Sequence, residues 1–220
     1  MKVTERIIVA LDLQAEDKLL GLLAKVPELS HVKVGMELFY SLGPDLVKML
    51  KDRGLKVFLD LKIHDIPNTA YGAVNTLSRL GCDMLNVHCA GGLAMMQRAR
   101  EALVGETKLI GVTQLTSIEQ EAMNQQLRIQ GSVEEVVLQY AALAKEAGLH
   151  GVVCSPKEAA AIKSRLGKEF LAVTPGVRPM GSETGDQKRI STPAEAIKAG
   201  SDYLVIGRPI TQSSDPQRVF

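Results

Sequence analysis

Lys56-Val-Phe-Leu-Asp60-Leu-Lys62-Ile-His64-Asp65-Ile-Pro67-Asn-Thr69 decides how the rest of the chain is read. Val57-Phe58-Leu59 is an apolar run of the kind that forms a strand buried on both faces. It leads straight into Asp60, Lys62 and Asp65. Side chains alternate along a strand, so Asp60 and Lys62 are expected on one face, roughly 7 Å apart along the backbone. Two opposite charges at the end of a buried strand are costly to desolvate, and apolar replacements are often neutral or stabilising. Stability alone therefore does not account for them. Beyond the charges, Asp65 stands where a helix N-cap belongs and Pro67 fits the first helical turn.

The same strand-then-helix unit recurs in both directions. Apolar strand cores are read at 7–11, 31–35, 84–89, 109–115, 151–155, 170–174 and 203–206. Helical stretches separate them, at 15–25, 44–51, 67–80, 92–104, 133–147, 156–167 and 193–199, with a shorter helix plus loop over 118–129. Gly54, Gly81, Gly148 and Gly200 supply stop signals. Alternating units of this kind predict a parallel sheet. Eight of them in 220 residues predict a closed (β/α)8 TIM barrel, one α/β domain over 1–220. Few residues follow Ile210, so the eighth helix is expected to be short or truncated. The competing architecture is an open doubly wound sheet. The chain has neither the strand–Gly-x-Gly-x-x-Gly–helix fingerprint nor a Walker A loop that would favour it.

The balance of charge narrows the partners. A net charge of +1 gives no general attraction for nucleic acid or an anionic membrane, so any anion site must be local. No run approaches the ~20 apolar residues of a membrane span. The N-terminus runs into a strand core rather than a signal-peptide core. Cys82, Cys89 and Cys154 are odd in number and widely spaced, which reads as reduced thiols of a cytoplasmic protein.

In a barrel of this kind the site is built at the C-terminal ends of the strands. Those ends carry Asp12, Lys33, Asp60 with Lys62 and Asp65, His88, Thr113 with Thr116 and Ser117, Pro175-Gly176 with Arg178, and Gly207-Arg208. Lys33, Asp60, Lys62 and Asp65 alternate in sign, and such a network would fix Lys62 in one rotamer. A purely structural ion-pair network closing the barrel is the competing reading, and for Asp65 alone it is the N-cap. The loops after the seventh and eighth strands commonly hold phosphate. Gly176 and Gly207 allow close backbone approach there, Arg178 and Arg208 offer bidentate donors, and Gln187 lies in the long loop that could close over a ligand. Each arginine singly is also compatible with a solvated surface.

His64 has opposite parity to Lys62 and is expected to face away from the barrel axis. His31 and His150 sit at strand entrances, the face concerned with stability. The four histidines lack metal-ligand spacing, and no metal or cofactor is expected. A carboxylate Mg²⁺ site is compatible with the spacing but lies among lysines that disfavour it.

The Asp60-x-Lys62-x-x-Asp65-Ile-Pro-Asn-Thr69 stretch resembles the signature of orotidine 5′-monophosphate decarboxylases of bacterial type. So do Ala10-Leu11-Asp12, Val32-Lys33-Val34-Gly35, Val112-Thr-Gln-Leu-Thr-Ser117, Thr174-Pro-Gly-Val-Arg178, Asp186-Gln187-Lys-Arg189 and Ile206-Gly-Arg-Pro-Ile-Thr211. The resemblance spans nearly the whole chain. It implies loss of carbon dioxide from orotidine 5′-monophosphate to give uridine 5′-monophosphate in pyrimidine biosynthesis, without metal. Lys62 would protonate C6, Asp60 would sit beside the substrate carboxylate, and Lys33 would bond both the network and the ribose. Asp12 would bind a ribose hydroxyl, Thr116 would face the pyrimidine edge and Pro175 would line it. Arg178, Gln187, Gly207 and Arg208 would hold the phosphate. Asp65 and Thr69 would reach into the site of a partner in a homodimer. The related Mg²⁺-dependent sugar-phosphate decarboxylases and lyases share Asp-x-Lys-x-x-Asp and form the alternative. They are expected to carry an acidic residue where this chain has Lys33. A non-catalytic phosphate-binding barrel is a third reading, disfavoured by the complete charged quartet.

Overall fold

The computed structural model describes residues 3–178 and 191–220. Its elements in chain order are β1 (Ile7–Ala10), α1 (Glu16–Lys25), β2 (His31–Gly35), α2 (Met36–Leu42), α3 (Asp45–Asp52), β3 (Lys56–Ile63), α4 (Pro67–Ser78), β4 (Met84–His88) and α5 (Gly92–Glu101). There follow β5 (Lys108–Val112), α6 (Gln120–Gln125), α7 (Val133–Glu146), β6 (Gly151–Val153), α8 (Pro156–Leu166), β7 (Leu171–Thr174), α9 (Pro193–Lys198), β8 (Tyr203–Ile206), α10 (Arg208–Thr211) and α11 (Pro216–Val219). The strands pair in parallel in sequence order and β8 closes onto β1, so the sheet is a barrel and not the open doubly wound alternative.

The alternation of each strand divides its apolar residues between two cores. Ile8, Phe58, Met84, Ile110, Val173 and Val205 pack inside the barrel. Val9, Val32, Leu59, Leu85, Leu109 and Leu204 point outward and pack beneath the helices. Both sides of the strands are covered, which is why they read as near-continuous apolar runs.

α2 was not expected from sequence. In Met36-Glu-Leu-Phe-Tyr-Ser-Leu42 only Leu38 is fully buried, Phe39 and Leu42 pack partly against the core and Tyr40 is 71% exposed, so the apolar stripe is confined to two turns. Its ends are set by Gly35 and by Gly43 at φ 73°. α7, α8 and α9 begin with reciprocal capping boxes, Ser132 with Glu135, Ser155 with Glu158 and Thr192 with Glu195. Each satisfies two backbone donors that a helix start otherwise leaves open.

Two local expectations require correction. β3 is not a regular strand at its charged end. Leu59 pairs with Leu85 and Ile63 with Val87, so Asp60, Leu61 and Lys62 stand opposite the single residue Asn86. Asp65 is not the N-cap of α4. Ile66 occupies that position without a side-chain cap, and Asp65 Oδ1 instead accepts the Ile66 N–H at 2.7 Å. Pro67 opens the helix as expected, because its missing N–H has no partner to lose there.

Candidate active site

A cavity of about 400 Å³ opens at the C-terminal ends of the strands. Its apolar lining comes from Ala10, Phe58, Val112, Val153 and Val205, the upper layer of the barrel interior. Asp12, Lys33, Asp60 and Lys62 line it from the first three strands. Gln114, Thr116 and Ser117 line it from the segment after β5, and Pro175, Gly176, Arg178, Gly207 and Arg208 from the segments after β7 and β8.

The charges form one chain of contacts. Lys33 Nζ lies 3.2 Å from Asp12 Oδ1 and 3.1 Å from Asp60 Oδ2. Lys62 Nζ donates to Asp60 Oδ1 at 2.7 Å. Asp60 thus receives one lysine on each oxygen. Burial pushes the Lys33 ammonium toward neutrality, but the carboxylates of Asp60 and Asp12 outweigh it and hold its pKa above the usual lysine range. Burial likewise pushes Asp60 up, and the two ammonium groups with the bonds from Lys62 and Asn86 more than reverse this, leaving it below the usual carboxylate range. Lys33 and Asp60 are therefore both charged at neutral pH, by mutual pairing rather than by exposure.

The bulge in β3 makes the Lys62 contact possible. Lys62 has φ 50°, one of two non-glycine residues with positive φ among the described residues. That left-handed conformation is costly for a side chain with a Cβ and persists where surrounding contacts enforce it. The Lys62 N–H donates to Asn86 Oδ1 at 2.8 Å, and Asn86 Nδ2 donates to Asp60 Oδ1 at 2.7 Å.

Across the cavity stand Gly176 with Arg178 and Gly207 with Arg208. Gly176 has φ 76°, a conformation a side chain disfavours. A Cβ at Gly207 would meet Ala10 Cβ at 3.3 Å and Asp12 Oδ2 at 3.5 Å, so glycine keeps this rim open. Val177 bridges Ser191, and Arg178 N donates to the Ser191 carbonyl at 2.9 Å. Arg208 is exposed at the rim, whereas Arg178 is 8% exposed.

Two lysines paired with one carboxylate, with two arginines across the mouth of a (β/α)8 barrel, are part of the arrangement expected from the sequence signature. A profile of the Orotidine 5'-phosphate decarboxylase / HUMPS family matches residues 5–220. The chain belongs to this family. An orotidine 5'-phosphate decarboxylase of Streptococcus suis is 51% identical over 217 residues, covering 98% of this chain and 94% of the relative. That of Streptococcus mutans is 54% identical over 213 residues, covering 96% and 93%. The crystal structure of orotidine 5'-phosphate decarboxylase from Lactobacillus acidophilus superposes with a TM-score of 0.86 at 42% identity, covering 97% of this chain and 94% of that one.

Within this family member the structure brings together Asp12, Lys33, Asp60, Lys62, Thr116, Pro175, Arg178, Gly207 and Arg208 around one cavity. Gln187 lies outside the described residues. Asp65 and Thr69 are exposed at the start of α4 and do not line this cavity. Within the chain the Lys33–Asp60–Lys62 cluster is extended by Asp12, not by Asp65, which has no ion pair among the described residues. His64 is exposed and its ring stacks on His88 at 5.3 Å between centroids; neither ring lines the cavity. Among the described residues no cluster of three or more His, Cys, Asp or Glu could hold a metal ion.

Three polar residues at the site escaped the sequence reading. Gln114, 4% exposed, and Gln212 line the cavity, and Asn86 is fully buried beneath it. Gln114 was legible by parity, two residues beyond inward-facing Val112. Asn86 was legible as an amide in the apolar run Met84-Leu-Asn-Val-His88, on the same parity as Met84.

Proposed function

We infer that the chain is a lyase that decarboxylates orotidine 5′-monophosphate to uridine 5′-monophosphate, the step that completes that nucleotide in pyrimidine biosynthesis. The observation that carries the mechanism is the Lys62 ammonium fixed 2.7 Å from Asp60 in a cavity with an arginine-bearing rim. Breaking the C6–carboxylate bond leaves an electron pair in the plane of the pyrimidine, where the π system cannot delocalise it well. A pre-placed cation meets that charge without reorganising. Lys62 then delivers a proton to C6 as carbon dioxide departs, and the neutral amine recovers a proton from water. Asp60 sits beside the departing carboxylate and holds the ammonium toward it.

The remaining roles follow the family signature. Asp12 and Lys33 bond the ribose, Thr116 meets the pyrimidine edge, and Pro175 packs against it. Arg178, Gly207 and Arg208, with Gln187, hold the phosphate, whose binding energy far from C6 is available to favour the transition state. Asp65 and Thr69 belong to the site of a second copy in a homodimer. Support comes from their exposure beside Ile66, which is 68% exposed, and from the family signature that includes them. The reaction as proposed uses no metal or cofactor. No helix among the described residues is long and apolar enough to cross a membrane. A cytoplasmic setting, without a nucleic-acid partner, fits the free buried cysteines and the net charge of +1.

Loss of the ultraviolet absorbance of orotidine 5′-monophosphate on adding the protein tests the activity. Turnover by the unmodified chain and its loss in Lys62→Ala is the expected result. No absorbance change with the unmodified chain overturns the reading.

A further inference from the structure

We propose that Asn86 is a positioning residue for the decarboxylation, setting the backbone conformation of Lys62 and the orientation of the Asp60 carboxylate together. This rests on the reading of function above.

The bulge sets the problem that Asn86 answers. With Asp60, Leu61 and Lys62 standing opposite Asn86, the strand ladder between Leu59 and Ile63 is interrupted. Asn86 Oδ1 accepts the Lys62 N–H at 2.8 Å and so takes the place of a ladder carbonyl. The same amide donates from Nδ2 to Asp60 Oδ1 at 2.7 Å. That oxygen also accepts Lys62 Nζ at 2.7 Å, so backbone, carboxylate and ammonium form a closed ring of contacts.

The chemistry of an amide is specific to this ring. It donates and accepts at once and carries no charge. An aspartate would add a second negative charge beside Asp60. A leucine of similar size would strand a buried N–H, an omission that costs more than the bond itself contributes. Asn86 is fully buried and lies outside the cavity lining, so it acts through Lys62 and Asp60 rather than on substrate. The left-handed φ of 50° at Lys62 is a conformation that needs such a hold.

The test compares Asn86→Leu and Asn86→Asp with the unmodified protein, reading kcat and KM for orotidine 5′-monophosphate from pH 5 to 8. A small misplacement of Lys62 lowers kcat in Asn86→Leu by about 10- to 100-fold. KM changes far less, as for a contact that matters in the transition state. Asn86→Asp has the sharper signature. When protonated, its carboxyl both accepts the Lys62 N–H and donates to Asp60, restoring the ring; when ionised it repels Asp60. The ratio of its kcat to that of the unmodified protein therefore rises as pH falls. A merely structural role gives a ratio that does not change with pH, and that result, or an undiminished kcat in Asn86→Leu, overturns the proposal. If Asn86→Leu does not fold, the Asn86→Asp profile decides. If the unmodified protein does not turn over the nucleotide, the functional reading fails separately. Amide hydrogen exchange at Lys62 in Asn86→Leu, or in Asn86→Ala should that variant not fold, then judges Asn86, with acceleration expected on loss of the acceptor and an unchanged rate against it.

Discussion

Lys62 Nζ reaches Asp60 Oδ1 at 2.7 Å from a backbone held at φ 50°, two residues along an interrupted strand. A regular strand would place the two side chains roughly 7 Å apart at the Cα level and leave closure of that gap to flexible rotamers. Here the bulge turns the backbone itself, so the ammonium is placed before a ligand arrives. The Lys62 side chain, 30% accessible, lines the cavity rather than being sealed in the core.

Lys62→Ala removes both the cation and the proton donor. Loss of a positioned proton donor alone accounts for about 10²- to 10⁴-fold in rate. Turnover is therefore expected to fall at least that far, while affinity for uridine 5′-monophosphate, held from the ribose and phosphate side, changes little. Lys62→Arg restores the charge but not activity, since a guanidinium does not release its proton. Single-turnover absorbance assays and product titration measure both. An active Lys62→Arg variant contradicts proton delivery by Lys62.

The pKa directions at Lys33 and Asp60 set a pH window for stability. Asp60 is depressed, so its contribution is present above its unfolded value of ~3.9 and is lost as pH falls through the folded value. Lys33 is raised, so its contribution is complete below its unfolded value of ~10.4 and is lost as pH rises through the folded value. The cluster should contribute a constant amount from about pH 5 to pH 9. Urea unfolding of the unmodified protein and Lys33→Met across that range should give a constant difference. A difference that changes between about pH 6 and pH 8 would show that another group is linked to the pair.

How far the sequence reached is clearest around these residues. Eight apolar runs and their following polar residues were enough to place Asp12, Lys33, Asp60, Lys62, Arg178 and Arg208 at one mouth, because parallel strands end on the same side. What parity could not supply was the bulge. Alternation assumes a regular pleat, and three residues standing against one break it just where the charged pair begins. The side of the barrel came out right for Lys62, but for a reason the pattern does not contain. Past the bulge, His64 lies outside the cavity as its opposite parity to Lys62 predicts, with its exposed ring stacked on His88. Asp65 shows a different limit. A carboxylate one residue before the true N-cap satisfies the Ile66 N–H, a one-residue shift that capping preferences do not resolve.

The two rim arginines should separate by burial. Arg208 is exposed, so Arg208→Ala is expected to weaken nucleotide binding and turnover with the melting temperature nearly unchanged. A lost charge-assisted bond to phosphate is worth about 1.5–3 kcal/mol, or roughly 10- to 100-fold in KM. Arg178 is 8% exposed and its Nη1 donates to the Val177 carbonyl at 3.0 Å. Arg178→Ala should therefore lower the melting temperature as well as affinity. Unchanged kinetics in Arg208→Ala count against its place on the phosphate.

Chelation distinguishes the decarboxylase from the Mg²⁺-dependent reading of the same barrel. The cation proposed to meet the developing charge is Lys62, so incubation with excess EDTA followed by gel filtration should leave turnover unchanged. Activity lost on chelation and restored by Mg²⁺ would favour the metal-dependent chemistry.

Mixed dimers test the assignment of Asp65 to a partner's site. Lys62→Ala and Asp65→Ala chains are each expected to be nearly inactive alone. In a mixed dimer the Asp65→Ala chain keeps its own Lys62 and receives an intact Asp65 from its partner, so one site of the two is complete. Random exchange makes half of the dimers mixed, and about one quarter of all sites should regain activity, as a closed two-fold assembly requires. Unfolding and refolding the two variants together, with activity read against each refolded alone, measures this. Asp65 is exposed and makes no ion pair within the described chain, so its substitution should leave the melting temperature of the protomer fold nearly unchanged. Mixtures no more active than the sum of the separate variants would place Asp65 outside the partner's site, and full activity of Asp65→Ala alone would remove it from the chemistry.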